Sequence, residues 1–502
     1  MDVYAQADAL PDAVTRRARM QHLSAAGIVS AVTGFQGVSA ARGLGGDGVV
    51  ARVGLDPSDA AGAVGWHTAL AGLLELDDHL LRSRSCAAVA AAAWASAGRS
   101  SLAEVLAATV AGNEVAGRVG LATALGSPGW GCPAATAAGV AVTGGLLGGL
   151  DEDGLAQAVS IALASASWDN TPSADGLAMA EARAASEGMR AVSAARNGAT
   201  SAEDILDRVV EKLSWMPLHG AFSGMGRAWL TDTISHRRFA CAPAAVTAVE
   251  SVAEILARHV KAADKRLRTD QVERIEIHGA AMLGAMASSG ALEPASIPWS
   301  LPEALGVLVA RHDLGAADLA PEVLAAQAER IRHVAERVEV FVQPSRTAEA
   351  LTAQIEVIGP LFADLGWRDA RRMLSPLRSA AALSGGEGRG MEGVRSVARL
   401  LRAAVGLRRV SGAELSAIDV ASWQLHLPVE VQLYTTRGGR WPERRSLPEG
   451  SPGADWSHTC GFVFGRFEGT GREEAAQRLH GAAPSSVAWP LLAAAVGVSA
   501  DS

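Results

Sequence analysis

The sequence predicts a mainly α protein in which a large helical domain carries a smaller α+β domain. Three observations support this. From Pro57 to about Gly226 nearly every segment reads as helix, short, Ala-rich and suited to close packing. Inside that region, Cys132 to Leu150 holds only apolar, small or Thr residues, with glycines at 139, 144, 145, 148 and 149. After about residue 265 the composition changes, and three stretches alternate apolar and polar residues at strand spacing.

In chain order, residues 10–34 predict a helix entered through Leu10-Pro11-Asp12. Proline suits a first turn because its missing N–H has no partner there anyway. Gly34 to Gly54 is Gly-rich and reads as irregular. In AGNEVAGRVG (111–120), Glu114 and Arg118 are spaced as an i,i+4 pair, worth a few tenths of a kcal/mol if exposed. Trp130 to Trp168 predicts a helical hairpin turning at Asp151 to Asp153. Each helical Gly costs about 1 kcal/mol relative to Ala, so a close backbone neighbour is expected to offset it. Carboxylates at the turn complement the positive end of the second helix, where Leu155, Val159, Ala162 and Leu163 follow at helical spacing. The stretch from 132 to 150 is barely long enough to span a bilayer. It lacks Lys/Arg flanks and paired aromatic belts, so a buried hairpin is expected instead.

The strands follow. In QVERIEIHG (271–279), Ile275 and Ile277 share a face and Val272 is out of step. ERVEVFVQP (336–344) puts Val338, Val340 and Val342 on one face. LPVEVQLYTTRGGRW (427–441) alternates through Val429, Val431 and Leu433 and turns at Gly438-Gly439, a hairpin signal. A helix from Pro302 to Ala310 lies between strands, and residues 345–420 read as helical again, with a Gly-rich loop at 384–393. One or two helices are expected after about 470. The domains expected are 1–264, helical; 265–344, the first part of the α/β domain; 345–420, a helical insertion; 421–465, its remaining strands; and 466–502, helices returning to the helical domain.

At 502 residues the chain exceeds one typical core, and 49% hydrophobic with 20% charged content is globular. A net charge of −8 with no long run of one sign argues against a nucleic-acid partner. Only Lys212, Lys261 and Lys265 are lysines. Cys86, Cys132, Cys241 and Cys460 form no CxxC pair, which excludes zinc-ribbon and thioredoxin-type readings and favours a reducing compartment. The opening MDVYAQADALPDAV has neither a basic nor an apolar signal region, so a cytoplasmic protein is expected. GxGxxG, GxxxxGK[ST], HExxH and GxSxG do not occur in a credible context.

Several stretches, in order, resemble the MmgE/PrpD family of 2-methylcitrate dehydratases and cis-aconitate decarboxylases. Leu10-Pro11 and the following helix resemble its opening, and Glu75-Leu76-Asp77-Asp78 its acidic DxDD-type motif. AGNEVAGRVG is similar to its AGYEVxxR-type helix, and Cys132 to Trp168 to its HPTATxGxxxAAAAxxxLLGLD segment. EGMRAVSAARNGAT (187–200) resembles a helix ending in a small-residue turn, and Ser300-Leu301-Pro302 its FSLPY motif. The resemblance covers most of 8–343, with a shorter match at 428–502. It implies a large helical domain with an α/β lid, usually a homodimer, with the active site between the domains. It further implies acid/base elimination of water or CO₂ from small tricarboxylate-type acids, with no metal or organic cofactor.

Departures from the family pattern are concentrated in the site. Glu75 stands where the resemblance implies a catalytic carboxylate, and Arg84-Ser85 where it implies a His-Pro step. Cys132 replaces a second His, Leu177 a catalytic Lys, Ala242 a further His after Arg237 and Arg238, and Glu303 the lid-helix Tyr. Elimination from a polyanion needs cations to grip carboxylates and an acid/base pair to move protons. The candidate catalytic residues are therefore Glu75, Asp77, His79, Arg84, Cys132 and Glu303. Crowded carboxylates raise at least one pKa, a His titrates near neutrality, and Arg84 can clamp a carboxylate or an enolate. Against these stand plainer readings: Asp77 and Asp78 as helix-end residues, Cys132 as a small hydrophobe, Glu303 as solvent-facing. Trp130, Trp168, Leu177, Arg237, Arg238 and Trp299 are the candidate substrate-binding residues, the tryptophans supplying large apolar surfaces. Three functions stay open. One is a repurposed enzyme dehydrating, isomerising or cyclising a larger apolar substrate in secondary metabolism. The others are a family-type dehydratase or decarboxylase and a non-catalytic binding protein. The partner expected is a small molecule, with neither membrane nor nucleic acid.

Overall fold

The computed structural model describes residues 4, 10–35, 39–81, 83–123, 132–166, 174–214, 218–358, 361, 415–418, 420 and 423–500. The chain forms two compact units. The first comprises Met1–His236, Asp419–Ala421 and Asp455–Ser502; the second comprises Arg237–Ile418 and Ser422–Ala454. The fold is mainly α with a smaller sheet-containing part, as the patterning predicts.

The helices of the first unit are α1 (Asp12–Val32), α2 (Ala60–Gly72), α3 (Cys86–Ser96), α4 (Leu102–Ala122), α5 (Pro133–Leu147), α6 (Glu152–Ser165), α7 (Ala174–Arg196) and α8 (Ile205–Leu213). Two short antiparallel pairs accompany them: β1 (Val50–Arg52) with β2 (Leu55–Ser58), and β3 (His79–Leu80) with β4 (Ile234–Ser235). Local chemistry sets the helix starts. Asp59 accepts from the Gly62 amide at 2.7 Å, and Asp151 accepts from Gly154 at 2.8 Å. Ser101 and Glu104 form a reciprocal capping box at the head of α4.

The Gly-rich hairpin folds as expected, and Gly139 marks where two backbones meet, whereas Gly144 and Gly145 face the side chains of Met189 and Leu155. A Cβ on Gly139 would lie 2.8 Å from Ala116 Cβ and 2.9 Å from the Gly112 carbonyl, so α4 and α5 approach without side chains between them. Glu114 and Arg118 form the expected i,i+4 pair, 3.5 Å apart, and it is fully buried. Glu114 accepts from the Leu230 and Thr231 amides at 3.1 and 2.9 Å, and Arg118 donates to the Ala228 carbonyl at 3.1 Å. α4 is buried on nearly every side beyond its first turn, so its charged pair serves as an anchor for the 224–231 segment.

In the second unit, α9 (Val246–Ala263) precedes β5 (Val272–Gly279), followed by α10 (Leu301–Arg311), α11 (Pro321–Ala335), β6 (Val338–Val342) and α12 (Pro344–Ile358). The hairpin β7 (Val429–Thr435) and β8 (Arg440–Arg445) completes a four-stranded sheet in the order β6-β5-β7-β8. Only the β5–β6 pair is parallel. The hairpin turns at Gly438, whose φ of +78° suits glycine. Val272 falls out of step because the β5–β7 register shifts between Val272 and Arg274. Of the 345–420 stretch, α12 is helical, and the 384–393 loop lies outside the described residues.

Helices α13 (Trp456–Gly465), α14 (Glu473–Gly481) and α15 (Ala488–Val496) close the chain within the first unit. Arg19 of α1 donates to the carbonyls of His480 and Ala482 at 2.6 and 2.9 Å. The Leu102 amide donates to Ser486 at 2.7 Å. Among the described residues, no helix is long and apolar enough to cross a membrane.

Candidate active site

The loop between α2 and α3 carries the acidic motif. Glu75 and Leu81 bracket it, and both have left-handed backbones, φ +54° and +55°. Each costs about 1–2 kcal/mol for a residue with a Cβ, and such strain persists only where the surroundings over-determine it. Pairing of β3 with β4 sets His79 opposite Ser235. Leu80 and Ser83 exchange backbone hydrogen bonds of 2.9 and 2.8 Å, which close a tight turn and send Arg84 back toward the acids.

Arg84 lies at the centre of a buried ion cluster. Its Nη1 is 2.6 Å from Glu75 Oε1, while Nε and Nη2 grip Asp77 at 2.9 and 2.7 Å. The Asp77 contact is the two-pronged geometry that a guanidinium offers a carboxylate. Burial alone would weaken the charge of Arg84, but Asp77 and then Glu75 hold its pKa above the ordinary value. Asp78 points elsewhere. Its Oδ1 accepts from Ser24 at 2.7 Å, its Oδ2 lies 2.9 Å from His236 Nδ1, and Arg466 Nη1 approaches to 4.0 Å. His79 Nε2 is 4.0 Å from Asp77 Oδ2. Glu75, Asp77 and His79 bring ligand atoms within 4.8 Å of one another, a spacing that could suit a cation. Arg84 already engages both carboxylates, so the geometry reads as a guanidinium site.

Glu181 on α7 joins this cluster, and sequence reasoning missed it. It is buried, and its carboxylate accepts from Thr136, one turn into α5. Burial raises its carboxyl to about 7; the Thr136 hydroxyl and Arg84 oppose that rise, and Asp77 adds to it. A carboxyl poised near neutrality in a dry site can both hold and release a proton. Glu181 lies four residues beyond Leu177, one helical turn from the position expected to replace a family Lys. His236 and Arg466 were missed as well.

Residues 3–216 match the model of the MmgE/PrpD N-terminal domain. This match supports membership of the MmgE/PrpD family. No curated protein matches it. The MmgE/PrpD match spans the acidic loop, Cys132, Thr136 and Glu181, so the cluster lies inside the shared domain.

The other expected residues distribute as follows. Cys132 is buried at the start of α5, with Sγ 3.7 Å from the Thr123 hydroxyl. Its backbone amide also acts on Glu181. Trp130, Trp168 and the Leu177 side chain lie outside the described residues. Glu303, Arg237, Arg238 and Trp299 belong to the second unit. Glu303 is buried in the first turn of α10 and accepts from Ser300. Arg237 is buried and donates to the Cys241 carbonyl at 2.7 Å, whereas exposed Arg238 pairs with Glu449 at 3.0 Å. Ala242, expected in place of a His, is buried at the head of a short 3₁₀ turn. Trp299 is half-buried. His67 accepts from the Val53 amide at 3.2 Å, and burial lowers its pKa to about 3.

Proposed function

We propose that this protein is a cofactor-independent acid/base enzyme of the dehydratase type. In this reading it acts on a substrate larger and less anionic than a tricarboxylate, by dehydration, isomerisation or cyclisation, in secondary metabolism. It works as a homodimer, as the family resemblance implies. The observation that supports this reading is the charge arrangement around the acidic loop. Among the described residues, four carboxyl groups, Glu75, Asp77, Asp78 and Glu181, face two guanidiniums, and both guanidiniums are spent on the protein. Arg84 holds Glu75 and Asp77, while Arg466 donates to Ser24 and to the Leu76 carbonyl. A cluster whose described guanidiniums are already engaged grips a polyanion poorly.

In this mechanism Glu181 is the proton-transferring group. With a pKa of about 7 it is part protonated at neutral pH and can deliver a proton to a leaving hydroxyl. His79 serves as the second proton carrier. Glu75 and Asp77, locked by Arg84, are positioning residues that fix the strained loop.

The test is a turnover screen of wild type against Glu181→Gln and Glu75→Gln. It starts with methylcitrate and cis-aconitate and extends to larger hydroxy compounds of low charge. Wild type should turn over a low-charge substrate, with a rate that falls as pH rises through about 7. Glu181→Gln should lose roughly 10²–10⁴-fold in rate and that pH limb. Turnover of either tricarboxylate by wild type would sink the proposal. Saturable binding without turnover would favour a non-catalytic binding protein.

A further inference from the structure

We propose that a cleft beside the first turns of α1 is a second site, one that binds a compact organic monocarboxylate. The cleft has a volume of about 250 Å³ and is lined by Ala13, Arg16, Arg17, Asp232 and Trp456, all in the first unit. That volume is below the roughly 300–1,000 Å³ of sites for drug-sized ligands, which sets the scale of the molecule.

Charge sets its class. Arg17 is committed to the protein: its guanidinium lies 4.6 Å over the Trp456 ring, and Nη1 donates to the Ile234 carbonyl at 3.2 Å. It also faces Asp232, whose carboxyl burial raises and Arg17 and Arg16 lower. Among the described residues that line the cleft, two arginines face one acid, which leaves a single positive charge there. That charge belongs to Arg16, which is exposed and has no ion-pair partner among the described residues. Asp12 is exposed and does not line the cleft. A guanidinium offers a planar fork that a carboxylate fills with two hydrogen bonds. One such anion closes the charge balance, whereas a dianion would leave it negative.

The walls favour an apolar body behind the carboxylate. Ala13 contributes a methyl group and Trp456 a half-buried indole. The Trp456 ring is fixed between Arg17 and the edge of His236, 6.0 Å away and tilted by 65°. A wall already held in place has little side-chain ordering left to lose on binding.

The probe is 4-fluorobenzoate, titrated into the full-length protein and followed by fluorine NMR. Saturable line broadening is expected, with 4-fluorobenzyl alcohol and 4-fluorobenzylamine binding at least tenfold more weakly. Arg16→Gln should weaken binding about tenfold or more, and Ala13→Trp should abolish it by filling the cleft. Both positions are exposed, so the fold should tolerate both changes, which a thermal melt checks. Failure of wild type to saturate would overturn the proposal. So would equal affinity for the neutral alcohol, or wild-type binding by both variants.

Discussion

Two glutamates, one in each unit, have the same electrostatic signature and different surroundings. Glu181 in the first unit and Glu250 in the second are both buried on helices, and burial raises them to about 7 and about 8. Glu250 accepts from the Glu449 amide at 3.0 and 3.1 Å and meets Arg445 at 3.2 Å. The negative charge of Glu449 adds to its rise, and Arg445 opposes it. The result is a brace that ties α9 to the segment after β8. Glu181 instead joins a cluster with a buried guanidinium and a loop bracketed by two left-handed residues. A displaced pKa therefore marks burial in both units, and only its company distinguishes a candidate site from a strut.

The contrast breaks most sharply at the arginines. Arg84→Met should cost about 3–5 kcal/mol in urea denaturation at pH 7, because two buried carboxylates lose their counter-charge. Arg445→Met should cost about 1 kcal/mol, since Glu250 is already mostly protonated at that pH. Equal losses would mean that the two clusters are the same kind of structure. Next in size are the pH effects. Both glutamates have folded pKa values raised from 4.5, so the stability each contributes is complete below that value and lost as pH rises through the folded pKa. Relative to wild type, Glu250→Gln should gain stability up to about pH 8, by at most roughly 5 kcal/mol. Glu181→Gln should level off near pH 7, by at most roughly 3 kcal/mol. Melting curves between pH 5 and 9, a range spanning both values, read both windows. The smallest effect is expected from Glu250→Gln on turnover, which should stay within about twofold of wild type, against the roughly 10²–10⁴-fold loss expected of Glu181→Gln.

The framework was legible because its signals are local. Val429, Val431 and Leu433 alternate and are all buried, and the Gly-Gly turn between β7 and β8 follows directly. The glycines of α5 announced close neighbours, which are Gly112 and Ala116 of α4 at Gly139 and the side chains of Met189 and Leu155 at Gly144 and Gly145. In the site, the run from Glu75 to Arg84 could be read because its partners lie within ten residues. Glu181 was hidden for a physical reason: α7 carries alanines on every face, so its buried stripe through Ala178, Ala182 and Ala185 barely differs from its wet one. The same lack of contrast left the burial of Glu114 and Arg118 open in the sequence. His236 and Arg466 reach Asp78 from 158 and 388 residues away in sequence, beyond any spacing rule.

Arg466 also bears on the order in which the protein can mature on the ribosome. It hydrogen-bonds Ser24 and the Leu76 carbonyl, yet it emerges only after the whole of Arg237–Ile418 has been made. A nascent chain stalled short of α13 would hold the acidic loop without Asp78's distal cation, and without the segment that stitches α1 at His480 and α4 at Ser486. Completion of the first unit therefore waits until α13 to α15 have been made, so cleavage or termination ahead of α13 would leave that unit unfinished while most of the bulk made before it remains.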